Sequence, residues 1–198
     1  MPDKRGCEKS DGNWVGADFN DLAGDALAAV RFARNRGDFD PSKVGLIGMS
    51  QGGWIAPVAA AEDDEISFVV SMSGSTVTTD EQLLYEEIHN ISEFTWPFIA
   101  RLLAPTTTKR IQQMDHFRPI SGFDPIPFWK HVNAPKFLAF GGNDPNVPVE
   151  DSIEVLRANS IDGLVKVYPD GGHAINSSES GEVQIEFLDD LAEFIRQS

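Results

Sequence analysis

The chain has 198 residues, 41% of them hydrophobic, and sets 31 acidic side chains against 16 Lys and Arg for a formal charge of −15. That length suits one domain with a real core. The charge argues against nucleic acid and against an anionic membrane surface, since both attract basic proteins.

Taken in chain order, helices alternate with short apolar strands, the pattern of a parallel sheet covered on both faces. Asp18 to Asn35 reads as a helix with Leu22, Ala26, Ala29, Val30 and Ala33 on one face, Asp18 as its cap and Gly37 as its stop. The turn residues Asp40-Pro41-Ser42 lead into Val44–Gly48, an uninterrupted apolar run expected to be a strand buried on both faces. A helix should follow from Gln51 to about Ala61, despite Pro57. Ile66–Met72, Lys136–Phe140 and Leu164–Tyr168 read as three more strands, and helices are expected at about 150–159 and 183–196. Between the second and third strands runs an excursion, about 78–133. It holds one expected helix (Leu84, Ile88 and Ile91 on one face) and then an aromatic- and proline-rich stretch, together read as a lid. The whole reads as a single domain over 1–198.

No apolar run reaches the roughly 18 residues needed to span a bilayer. Met1-Pro2-Asp3-Lys4-Arg5 has no signal-peptide character and Cys7 stands alone. A soluble protein of a reducing, cytoplasmic compartment is therefore the expectation.

Gly48-Met49-Ser50-Gln51-Gly52-Gly53 matches G-x-S-x-G, with an apolar strand before it and a helix after it. A nucleophile elbow needs that context: small residues allow the sharp turn, and the helix N-terminus favours developing negative charge. Ser50 is the candidate nucleophile and the Gln51 N–H the candidate oxyanion donor. Of four histidines, His89, His116 and His131 fall in the excursion, whereas His173 follows the last strand in Asp170-Gly171-Gly172-His173 and is the candidate base. Asp144 follows the third strand in Gly141-Gly142-Asn143-Asp144-Pro145 and is the candidate acid. An Asx-turn ahead of Pro145 is its structural alternative, Asp151 is the rival acid though it reads more as a first-turn helix residue, and Asp170 reads as a turn former beside His173. The order Ser50, Asp144, His173 is that of an α/β-hydrolase triad.

Asp3-Lys4-Arg5-Gly6, Gly45-Leu46-Ile47-Gly48-Met49-Ser50-Gln51-Gly52-Gly53-Trp54, Phe123-Asp124-Pro125, Gly142-Asn143-Asp144 and Gly172-His173 together resemble the α/β-hydrolase superfamily, in its peptidase-S9-like and dienelactone-hydrolase-like esterases. The resemblance covers nearly the whole chain and matches least in the excursion. It implies an α/β fold of about four parallel strands with flanking helices and a small helical lid, short of the family's usual N-terminal strands. It also implies a Ser50, Asp144, His173 triad and hydrolysis of small esters through an acyl-enzyme, with thioesters and peptides left open. Glu8 stands where such proteins usually carry a small residue, often glycine. Asp-Lys-Arg-Gly normally follows a fourth strand, so the segment supplying four strands and the second oxyanion donor is not expected here.

The Val44–Gly48 strand would then be a sheet edge, and pairing of two copies through it is expected. A feeble hydrolase remnant that serves as a self-associating or partner-binding module is the alternative function. Trp96, Phe128 and Trp129 are candidates to line an acyl pocket, with packing anchors as the plainer reading. No H-x-H or H-E-x-x-H spacing or phosphate loop occurs, so neither metal nor cofactor is expected.

Overall fold

The computed structural model describes residues 3–38 and 40–198; Met1 and Pro2, which open the terminal stretch read above, lie outside the described residues. Helix α1 (Phe19–Arg34) begins at a reciprocal cap, in which the Asp18 carboxylate accepts from the Asp21 N–H and the Asp21 carboxylate accepts from the Asp18 N–H. Two donors that a helix start leaves without partners are thereby satisfied.

Strands β1 (Leu46–Met49), β2 (Val69–Met72), β3 (Lys136–Gly141) and β4 (Leu164–Tyr168) form one parallel sheet in that spatial order. Helix α2 (Gln51–Ala60) connects β1 to β2, and α6 (Val149–Ala158) connects β3 to β4. Alternation along the strands divides the core. Val69, Leu138 and Phe140 face α1, α2 and α6, while Val70, Phe137, Ala139 and Tyr168 face α7 (Ile185–Gln197) through Phe187, Leu191 and Phe194.

The β1 strand departs from the expectation of burial on both faces. It is an edge strand, and Ile47 and Met49 are 56% and 42% exposed. They pair in register with Val70 and Met72, so they lie on the sheet face that α7 covers, but beyond the strands α7 reaches. Strand burial depends on neighbours, and an apolar run read in isolation does not reveal how many it has.

The excursion between β2 and β3 holds more helix than expected: α3 (Thr79–Ser92), α4 (Pro97–Gln112) and the single turn α5 (Ile126–Trp129). Helix α4 escapes sequence reading because its buried stripe is Ala100, Ala104 and Thr108, small residues that give little apolar signal. Pro105 inside it and the threonine run after it also oppose helix. No helix among the described residues is long and apolar enough to cross a membrane.

Candidate active site

Ser50 occupies the turn between β1 and α2 at φ 53° and ψ −116°. Non-glycine residues rarely adopt such a backbone, at a cost of about 1–3 kcal/mol. The surroundings hold it there. The Ser50 N–H donates to the Met72 carbonyl at 2.8 Å, and the Ser50 carbonyl accepts from the Gly53 N–H at 2.8 Å. A Cβ on Gly48 would strike the Gly52 carbonyl, and one on Gly53 would strike the Gly74 backbone after β2. Gly52 itself faces open space, so the close approaches of this turn lie at Gly48 and Gly53.

The Ser50 hydroxyl makes no capping bond, leaving it unengaged by the helix it precedes. The Gln51 N–H, first in α2, donates to no backbone carbonyl among the described residues. Such orphan donors at a helix start suit an anion.

Asp144 and His173 meet across the carboxyl ends of β3 and β4. Two glycines permit it: a Cβ on Gly141 would strike the Gly172 carbonyl, and one on Gly142 would crowd Pro169. The Asn143 N–H donates to the Gly171 carbonyl at 2.8 Å, tying the two loops together. The His173 Nδ1 then lies 2.8 and 3.0 Å from the two Asp144 carboxylate oxygens. The Asp144 side chain is fully buried, while that of His173 is 26% exposed.

Asp144 Oδ1 also accepts from the Asn146 N–H at 2.8 Å and the Val147 N–H at 3.2 Å. The Asx-turn and the histidine-orienting acid, weighed as alternatives in the sequence, are thus two contacts of one carboxylate. Its hydrogen bond to Asp144 holds the His173 imidazole above its ordinary pKa of 6.5, against the opposing effect of burial, and the Asp144 and Glu86 charges add to the rise.

The rival acid, Asp151, is exposed in the first turn of α6, and Asp170 lies exposed in the turn after β4, as read for a turn former. The other histidines have local roles. Nδ1 of His89 contacts the Tyr85 carbonyl, Nδ1 of His131 the Pro127 carbonyl, and the His116 ring lies near Trp14. Of the aromatic candidates, Trp96 is 70% exposed before α4, Phe128 stacks on Phe123, and Trp129 is 1% exposed within the core beside α2. No group of side chains suited to a metal ion occurs among the described residues.

Four residues near the site receive no role from the sequence, although Lys4 and Arg5 belong to the Asp3-Lys4-Arg5-Gly6 stretch that carries the resemblance. Lys4 Nζ donates to the Gln51 side-chain carbonyl at 2.9 Å and sits 4.5 Å from the centre of the Trp14 ring. Its loop is held on α1 by Arg5, which bonds both Asp25 oxygens at 2.6 and 2.8 Å. From α3, the Tyr85 hydroxyl donates to the Asp144 carbonyl at 3.3 Å, and the Glu86 carboxylate accepts from Asn146 Nδ2 at 2.9 Å. These contacts join segments 20 to 60 residues apart, and nothing in local spacing marks them.

Residues 9–198 match the prolyl oligopeptidase family (Peptidase_S9). Acylamino-acid-releasing enzyme 2 of Oryza sativa subsp. japonica is 24% identical over 159 residues, covering 79% of this chain and 20% of that protein. The chain therefore spans about a fifth of the length of the curated relatives it matches along most of itself. Among solved structures, the Pyrococcus furiosus esterase Pf2001 superposes with a TM-score of 0.70 at 19% identity, over 98% of this chain and 68% of that one. E-2-(acetamidomethylene)succinate hydrolase superposes at 0.67 and 21%, over 98% and 80%. With four parallel strands flanked by helices, the chain has the α/β-hydrolase fold and belongs to the prolyl oligopeptidase family.

Proposed function

We propose that this chain is a serine hydrolase that cleaves small carboxylic esters through an acyl-enzyme. The observation that carries the reading is the Asp144–His173 pair at the ends of β3 and β4, together with a strained serine at the end of β1 that begins a helix. In the first half-reaction Ser50 Oγ bonds to the ester carbonyl carbon while the free nitrogen of His173 takes the serine proton. Negative charge gathers on the carbonyl oxygen, and the Gln51 N–H and the start of α2 stabilise it. The carbon–oxygen bond to the alcohol then breaks, and His173 returns the proton to the departing oxygen. Water attacks the acyl-serine with His173 again accepting a proton, releasing the acid and restoring Ser50.

Asp144 keeps the His173 Nδ1–H pointing inward and stabilises the imidazolium formed in each half-reaction. Its own burial is supported by the two backbone donors on Oδ1. Hydrolysis of p-nitrophenyl acetate and butyrate tests the proposal. Saturable turnover is expected in the wild type, with a drop of about 10⁴-fold or more in folded Ser50→Ala. Equal rates in the two proteins would refute the ester reading.

A further inference from the structure

Helix α3 lies outside the sheet that carries the three candidate catalytic residues, yet it grips the loop that presents Asp144. Two consecutive residues do this. The Tyr85 hydroxyl bonds the Asp144 carbonyl, and the Glu86 carboxylate bonds the side-chain amide of Asn146. Asn146 is the residue whose N–H donates to Asp144 Oδ1. The chain of contacts therefore runs from Glu86 through Asn146 to Asp144 and on to His173 Nδ1.

From this geometry we infer that Glu86 is a positioning residue of the site: it fixes the acid-bearing loop through Asn146 and adds a second negative charge to the loop that orients His173. The inference rests on the reading of His173 as the base. Among the described residues the charged groups acting on His173 are Asp144, from the loop after β3, and Glu86, from α3. Both favour the charged imidazole. Because Glu86 is held by a neutral amide, its charge is not cancelled by the contact that orients it.

The arrangement has a functional consequence. A hydrolase base must be neutral to accept the serine proton but stabilised once it is charged. A carboxylate that helps the imidazolium deepens the second effect and moves the onset of activity to higher pH. Since Glu86 belongs to the segment between β2 and β3, any shift of α3 on the sheet would alter the acid loop and the histidine together.

The test is Glu86→Gln, which keeps an oxygen able to accept from Asn146 and removes the charge. The His173 imidazole is titrated by NMR, its signal assigned by its loss in His173→Gln. In Glu86→Gln the His173 midpoint should fall to lower pH. On the acid limb, kcat/KM relative to its own plateau should rise about twofold. Asn146→Ala, which frees the Glu86 carboxylate to turn into solvent, should lower the midpoint in the same direction and provides the reading if Glu86→Gln does not fold. An unmoved His173 midpoint in either folded variant overturns the assignment. The NMR titration needs no turnover, so a protein that fails to cleave esters would defeat the proposed function while leaving this result readable.

Discussion

At the scale of single residues, the site combines strain with electrostatic support. Ser50 is held at a left-handed φ by backbone bonds on both sides, and His173 is held above its ordinary pKa by Asp144 and Glu86. The sign of the resulting pH dependence follows directly. His173 acts as a base only when neutral, so kcat/KM should fall as pH drops, with the midpoint of that limb above 6.5. For folding, the raised pKa adds stability that is fully present below the unfolded value and is lost as pH rises through the folded one. A limb at or below 6.5 would contradict the contact between His173 and Asp144.

Glu8 offers a second residue-scale prediction. The resemblance leads one to expect a small residue in its turn, and Glu8 indeed sits at φ 49°, where a side chain is strained. Glu8→Gly should raise stability by about 0.5–1 kcal/mol in urea unfolding, the relief of strain exceeding the added freedom of the unfolded chain. A loss of stability would show that the Glu8 side chain holds this loop in some other way.

At the scale of elements, legibility followed the strength of the apolar pattern. Helices α1 and α7 have large apolar stripes, and both stand within two residues of their sequence-based bounds. The elbow was legible because strand, small residues and helix are contiguous there. Helix α4 was not, because Ala100, Ala104 and Thr108 pack on α3 through small surfaces that carry no hydrophobic signature. Its Pro105 removes one N–H donor in the helix interior and crowds the carbonyl one turn back. Pro105→Ala should therefore stabilise the protein by about 1–3 kcal/mol. A lower Tm in that variant would mean that the exposed proline ring itself makes a favourable packing contact.

The contacts around the acid were illegible for a different reason. Tyr85 and Glu86 lie about 60 residues from the loop they hold, and their spacing on α3 reads as an ordinary solvated face. Only the folded sheet brings α3 against the end of β3. The order of the candidate triad could be read because each candidate follows its own strand. What positions the acid could not, because it comes from an insertion with no fixed place in that order.

At the scale of the whole molecule, the charge of −15 is spread over a chain of 16 basic side chains, several of them paired with carboxylates, as in Arg5–Asp25, Arg34–Asp63 and Lys166–Asp190. The remaining acidic excess repels itself, and salt screens that repulsion over a Debye length of about 10 Å at 0.1 M. Raising NaCl from low millimolar to 0.5 M should lift Tm by about 2–4 °C, equivalent to ~1 kcal/mol for a chain of this size. A lower Tm in salt would place the surface ion pairs, and not self-repulsion, in control of stability.

The proposed function makes Ser50 a nucleophile activated by His173 and Asp144. Reaction with a fluorophosphonate, followed by intact-mass and peptide analysis, tests that claim without any choice of substrate. Ser50 displaces fluoride from phosphorus only if a neighbouring base takes its proton. The wild type should gain one adduct, located on Ser50, and His173→Gln should gain almost none in the same time. A folded wild type that stays unmodified at Ser50, or a His173→Gln variant that reacts as fast, would contradict the assignment.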